Sequence, residues 1–313
     1  MVWRPRALLI AVTASLAFAA CGGDSGNTTS PSTHTTQAAT TSSSAEPTTA
    51  TTTTTLVDTT TTLEVGDVDA VLVVGDWGSG NLPQGAVAGA MMRYAEANEV
   101  EAILTTGDNL YSDDIEFLLH PFSWAIEAEI PFWVAWGNHD VESEDRIDAM
   151  VEAFDDPPRW TSHRWGRVDV VILDSTDIDS EEQLQFLTDT LAASERATIV
   201  ALHHPPYSCG SHSDSENVED TFLPLFDEDV FLVLSGHDHN YQRFQDGDIT
   251  FVVTGGGGAE LTDLDTCSVD HPERSSGESI HHFLVLEQRD AVVVSVIDVN
   301  GTTLDTWRMD YHP

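Results

Sequence analysis

The chain has 313 residues, a formal net charge of −41 and only 12 basic residues, all of them arginine. A surface this acidic argues against nucleic acid as a partner, because phosphate backbones are held by clustered cations and the sequence contains no such cluster. An anionic substrate would need a strong local source of positive charge, which directs attention to metal-ligating side chains.

Residues 1–21 carry Arg4 and Arg6, then an apolar stretch from Ala7 to Phe18, then small residues. That pattern reads as a signal peptide rather than a membrane span, since the apolar stretch is too short to cross a bilayer. Its end, "FAAC", resembles a bacterial lipobox, which would make Cys21 the lipidated first residue of an exported, cell-surface protein; ordinary cleavage after Ala20 would leave it secreted. Residues 22–64 are dominated by Thr and Ser and hold too little apolar surface to offset the entropy of ordering. They read as a tether, and residues 65–313 as one folded domain.

Within that domain, short apolar runs stop one after another at a potential metal ligand. "VLVVGD" ends at Asp76 and "ILTTGD" at Asp108, with Tyr111 three residues on. "FWVAWGNHD" reaches Asn138 and His139, "IVALHH" reaches His203, and "FLVLSGHDH" reaches His237 and His239. Continuous runs rich in Val, Leu and Ile suit strands buried on both faces. Between them lie helical patterns. Val87, Met91 and Tyr94 recur at helical spacing, and Ser180 with Gln183 forms a capping box ahead of Leu184, Leu187 and Leu191. The alternation predicts a layered α/β core with a substantial parallel component.

In such cores, ligands collect beyond the carboxyl ends of the strands, where all five runs deliver their polar residues. The donor set suits two ions. Asp108 can bridge, Asp76 and Tyr111 supply anionic oxygen, Asn138 an amide oxygen, and His203, His237 and His239 imidazole nitrogen suited to Zn, Fe or Mn. In an extended "GHDH" segment His237 and His239 would point the same way, each toward a different ion. His204 would then point away from the site. The run Gly255 to Gly258 lacks the Lys and Ser or Thr of a P-loop and reads as a close-packed turn near the site. His281 and His282 read as packing or surface residues, and His271 has no partner at a recognisable spacing. Cys209 and Cys267 have neither the number nor the spacing of a zinc cluster. An oxidising compartment would allow them to pair, and the sequence leaves both states open.

The ordered motifs GDWG, GDNLY, GNHD, VALH and GHDH resemble those of purple acid phosphatases within the calcineurin-like metallophosphoesterase superfamily, most closely the small tartrate-resistant type. The resemblance spans Val71 to Gly258. It implies a four-layer αββα sandwich of two mixed β-sheets flanked by helices, with "HHFLVLEQ", "AVVVSVIDV" and "TTLDTWRM" as completing strands. It assigns Asp76, Asp108, Tyr111 and His239 to an Fe(III) site, and Asp108, Asn138, His203 and His237 to a divalent site of Fe(II), Zn or Mn. His139 matches the family's catalytic histidine, and His212, nine residues past His203, matches a histidine near the leaving group. The activity implied is hydrolysis of small phosphate monoesters. A phosphodiesterase or nucleotidase on the same core, or a metal-binding surface lipoprotein without activity, are the alternatives. Oligomeric state is not legible.

Overall fold

The computed structural model describes residues 70–212, 214–267 and 271–311. The signal peptide, lipobox and tether read from residues 1–64 lie outside them. Among the described residues no helix is long and apolar enough to cross a membrane.

Thirteen strands form two sheets among these residues. The first is built from β1 (Ala70–Val74), β2 (Val100–Thr105), β3 (Phe132–Trp133), β11 (His282–Gln288), β12 (Ala291–Asp298) and β13 (Thr303–Asp310). Its order is β13-β12-β11-β1-β2-β3, parallel from β1 to β3 and antiparallel from β1 through β11 and β12 to β13. The second contains β4 (Thr161–Trp165), β5 (Val168–Ile172), β6 (Thr198–Ala201), β7 (Val230–Ser235), β8 (Tyr241–Asp246), β9 (Ile249–Thr254) and β10 (Arg274–Glu278). In the order β10-β8-β9-β7-β6-β5-β4, its centre is parallel and its edges antiparallel.

The strand period of two sorts the apolar runs into three cores. From β1, Val71 and Val73 pack with Ile199, Ala201, Leu232 and Leu234 of the second sheet, filling the space between sheets. Ala70, Leu72 and Val74 face outward into a core shared with α1 (Leu82–Ala95), α2 (Glu116–Leu119), α3 (Ser123–Glu127) and α4 (Glu144–Phe154) through Val87, Met91, Leu118, Ala125 and Met150. On the far side, Val171, Val200 and Val233 pack under Leu187 and Leu191 of α5 (Glu181–Ala193). Central strands are therefore buried on both faces, which is why their sequences do not alternate. The four-layer sandwich is as expected, and the three C-terminal segments complete the first sheet.

Helix starts follow their caps. The Asn81 side chain accepts from Gln84 N–H at 3.0 Å, and Ser143 caps α4 in the same way through Arg146 N–H. Ser180 caps α5, but only half of the expected box forms. The Gln183 side chain bonds Asp174 N–H and O and Asp177 O instead of returning to Ser180. That glutamine fixes the loop leaving β5.

Candidate metal centre

Both sheets turn the carboxyl ends of their parallel strands to one place. Pairing between β1 and β2 continues past the strands, with Asp76 N–H donating to Gly107 O at 3.1 Å and Trp77 N–H to Asp108 O at 3.2 Å. The chain then takes left-handed conformations at Asp76 (φ 56°), Asp108 (φ 47°) and, after β7, His237 (φ 72°). Such strain costs about 1–3 kcal/mol per residue and is tolerated where surrounding structure enforces it. Here it turns three ionisable side chains back across the strand ends. Two glycines permit the crowding. Gly107 adopts φ 89°, and a Cβ there would lie 2.6 Å from His203 Nδ1, while a Cβ on Gly137 would collide with the Asp108 carboxylate.

The side chains converge in two nests that share Asp108. In one, Tyr111 Oη lies 3.2 Å from Asp76 Oδ1, 3.4 Å from Asp108 Oδ2 and 3.1 Å from His239 Nε2. In the other, His203 Nε2 lies 3.0 Å from Asn138 Oδ1, 3.2 Å from His237 Nδ1 and 3.4 Å from Asp108 Oδ2. Asp108 Oδ1 is turned aside to accept His139 N–H at 2.8 Å. All seven residues expected to hold metal are thus brought together. Asp76, Asp108 and His203 are essentially inaccessible to solvent.

This arrangement fits cations better than it fits its own protons. His203 Nδ1 faces Thr106 O at 2.9 Å and His239 Nδ1 faces Glu260 O at 2.7 Å. Each carbonyl holds a proton on Nδ1 and leaves Nε2 facing its nest as the nitrogen that can ligate, the usual setting of a ligating histidine. Tyr111 has one proton for three neighbouring heteroatoms. The first nest is rich in anionic oxygen, as a hard trivalent ion requires, and the second mixes oxygen and nitrogen, suited to Zn, Fe(II) or Mn.

Without ions the electrostatics are tense. Burial pushes the Asp76 carboxyl up, and burial with Asp76 and Asp108 drives the Tyr111 phenol far above its ordinary range. Burial disfavours a charged His203, yet Asp108 and Asp76 outweigh it and lift the imidazole to about 10. Burial also works against the charged form of Asp108, and His203 reverses this to hold it well below the carboxylate range. A proton therefore sits on His203 where a cation would otherwise be balanced.

Several residues that the sequence did not single out position this site. Asp140 is fully buried and accepts from Gly137 N–H, Leu110 N–H and the Asn109 amide at 2.8–2.9 Å. Burial and the nearby Asp108 push it up to about 7 against those donors. Asn109 also bonds Trp77 Nε1 and Ala135 O, so it ties together the three loops after β1, β2 and β3. Arg146 donates to the carbonyls of Leu110, Tyr111 and His139 at 2.9–3.1 Å and to Asp113 Oδ1 at 2.7 Å.

The two expected catalytic histidines flank the nests. The His139 ring lies 4.6 Å from Tyr111, with Nδ1 3.2 Å from Glu142 Oε2. The His212 ring lies 4.5 Å from that of His237 and 6.0 Å from that of His239. His212 N–H is held by Asp238 Oδ1 at 3.1 Å, and Asp238 also bonds Ser208 Oγ. Cys209 and Cys267 form a disulfide with Cα atoms 5.0 Å apart, which settles the state that the sequence left open and pins the His212 loop. Asp265 N–H to Cys209 O, at 2.7 Å, pins it further.

Three local expectations need correction, and two others hold. "GHDH" is not extended. It turns tightly through Asp238 N–H to Gly236 O at 2.9 Å, with His237 left-handed, so the two histidines diverge to separate nests for a different reason from alternation. His204 does not point away. β6 ends at Ala201, the chain bends, and the His204 ring stands 4.6 Å from that of His237, with burial and His203 pushing it down to about 4. His271 has partners after all, in Asp214 Oδ1 at 2.9 Å and the neighbouring disulfide sulfur of Cys209. His282 is a buried packing residue bonded to Thr254 Oγ1, as expected. The glycine run is the close turn predicted, with Gly257 N–H on Gly75 O and Ala259 N–H on Asp76 O, both at 2.9 Å.

Comparison with known proteins agrees with this geometry. A model of the calcineurin-like phosphoesterase family matches residues 55–241, more than half of the chain. Purple acid phosphatase 3 of Arabidopsis thaliana is 26% identical over 284 residues, covering 77% of each chain. Among solved structures, purple acid phosphatase PPD1 from yellow lupin seeds aligns with a TM-score of 0.65 at 18% identity, over 78% of this chain and 54% of that one. GAP50, described as the anchor in the inner membrane complex of Plasmodium, aligns with a TM-score of 0.67 at 18% identity, over 79% and 90%. At such identities the two structures speak for the fold alone. With the family match and the convergent carboxylates and imidazoles, the chain belongs to the calcineurin-like phosphoesterases and is a metal-dependent phosphoesterase with purple acid phosphatases among its relatives.

Proposed function

We propose that the protein is an exported acid phosphatase, anchored through lipid at Cys21, that hydrolyses small phosphate monoesters at a binuclear centre of Fe(III) with Fe(II), Zn or Mn. The observation that carries this reading is the position of Asp108 Oδ2, 3.4 Å from both Tyr111 Oη and His203 Nε2, so that one carboxylate serves two nests. Asp76, Asp108, Tyr111 and His239 would hold the ferric ion, and Asp108, Asn138, His203 and His237 the divalent one. When bound, the pair supplies Lewis acidity and an activated water at neutral or acidic pH. His139, oriented by Glu142, would stabilise charge or protonate the leaving oxygen through Nε2, and His212 would support it from the other flank. A metal site serving structure alone would be closed, with no spare polar groups around it. His139 and His212 are such groups. Acidic side chains beside the site, Glu142 against His139 and Asp113 against Arg146, disfavour polyanionic substrates and favour a compact monoester.

A chromogenic phosphomonoester should turn over at least about tenfold faster than the matching diester, and a chelator should stop both. Faster diester turnover would move the reading to a phosphodiesterase on the same core, and resistance to exhaustive chelation would remove it.

Tyr111 gives an independent signature. Its phenol is held protonated by burial and by Asp76 and Asp108, so ionising it needs a highly charged partner. A ferric phenolate absorbs visible light. The oxidised protein is expected to be pink to purple, and Tyr111→Phe to lose that band while remaining folded. A colourless active enzyme holding only zinc or manganese would contradict the ferric assignment.

A further inference from the structure

His139 is anchored through its N–H, its carbonyl and its ring, and Arg146 stands behind two of these anchors. The N–H donates to Asp108 Oδ1 at 2.8 Å, and the carbonyl accepts from Arg146 Nη1 at 3.1 Å. The ring meets Glu142 Oε2 through Nδ1 at 3.2 Å, but these side chains are 39% and 59% exposed, and a pair so open to water holds little by itself. That same Oε2 lies 3.7 Å from Arg146 Nη1. One guanidinium therefore steadies both the backbone of His139 and the carboxylate against its ring.

The rest of the fork reaches the loop after β2. Nη1 also donates to Leu110 O at 3.0 Å, Nη2 to Tyr111 O at 2.9 Å and Nε to Asp113 Oδ1 at 2.7 Å. Tyr111 N–H donates to Gly78 O at 3.2 Å, so this residue is held on both sides of its backbone. Four of the five N–H groups of Arg146 are committed to loop oxygens and its side chain is only 14% exposed, which makes it a fixed clamp rather than a reserve for anions. The clamp starts from a fixed point, since Ser143 Oγ accepts Arg146 N–H at 3.2 Å where α4 begins. A planar fork can span acceptors spread over two loops, and a single ammonium cannot. Where the two loops meet, the Tyr111 and His139 rings stand 4.6 Å apart.

We propose that Arg146 is a positioning residue for the reaction: by clamping the two loops together it fixes the His139 ring against Tyr111, although its own contacts lie outside both nests. The inference rests on the reading of His139 as the group that handles charge or protons at the leaving oxygen. Its action is indirect, through the placement of that ring.

The test uses the full chain, with Arg146→Met to remove the fork and keep an unbranched stem, and Arg146→Lys to keep the charge without the fork. In the metal-loaded protein both are expected to retain both ions and a nearly unchanged KM, and to lose kcat for a phosphomonoester by about tenfold to a hundredfold, as a small misplacement of a reacting group does. Adding Arg146→Met to His139→Ala should then slow turnover by less than about twofold more, because no ring is left to misplace. A residue that merely supports the fold would slow the two backgrounds by the same factor. Ring placement is read separately in the ion-free chain, where nuclear Overhauser contacts between the His139 and Tyr111 rings should be present in the wild type and lost in both variants. Full rate in Arg146→Lys, loss of an ion in either variant, equal losses in the two backgrounds, or ring contacts that are absent from the wild type or survive in both variants would each overturn the inference. Wild-type protein that takes up no metal would overturn the binuclear reading instead, and the ring contacts would still decide whether Arg146 places His139.

Discussion

Asp108→Ala is expected to lose both metal ions and to reduce phosphomonoester turnover by a factor of about a thousand or more, since Lewis-acid stabilisation of this kind is worth several kcal/mol. The reason is the reach of one side chain. Oδ2 lies 3.4 Å from the central atom of each nest, and Oδ1 accepts His139 N–H at 2.8 Å, so truncation undoes both nests and frees the loop carrying Asn138 and His139. Removing Asp76 or His237 should be less severe in metal content, because each faces a single nest. Elemental analysis of the purified variant checks this, and retention of both ions would show that Asp108 does not bridge.

His139→Ala should behave in the opposite way. The His139 backbone N–H that Asp108 accepts survives the substitution, and the imidazole itself is turned toward Tyr111 and Glu142 rather than into either nest. Both ions should therefore remain, while turnover falls by about 10²–10⁴-fold, the usual contribution of a positioned acid or base. Metal content measured beside the rate separates the two roles. If His139→Ala and Asp108→Ala prove equally depleted of metal, the division between holding ions and handling protons is wrong.

The parts of this account legible in the sequence are those that repeat a physical demand. Each buried strand had to be apolar, and each ligand had to follow it within a few residues, so Asp76, Asp108, Asn138, His203, His237 and His239 stood out together. The division of the strands into two sheets was not legible from the runs themselves. β1 and β7 are both apolar and buried throughout yet lie in different sheets, and the family resemblance implied two sheets without assigning either strand to one. Asp140, Asn109 and Asp238 were missed because a buried Asp or Asn in a loop looks the same in sequence as one that makes an ordinary turn. What distinguishes them is which groups meet them, and these come from positions as far as 32 residues away. His204 was misjudged because alternation was assumed past the end of β6, where the chain already bends. The Cys209–Cys267 bond closes a separation of 58 residues, and no local pattern encodes such a pairing.

The central claim, two ions acting as one centre, is tested most directly by titrating metal back into the ion-free protein while recording phosphomonoester turnover. In that protein His203 is lifted to about 10 by Asp108 and Asp76 against its burial, so it is protonated at neutral pH and must release its proton as the nest fills. Uptake should therefore weaken as pH falls and should acidify an unbuffered solution. The expected result is activity that stays low through the first equivalent of metal and reaches its maximum only with the second. Activity that is complete at one equivalent, or that needs none, would contradict the account.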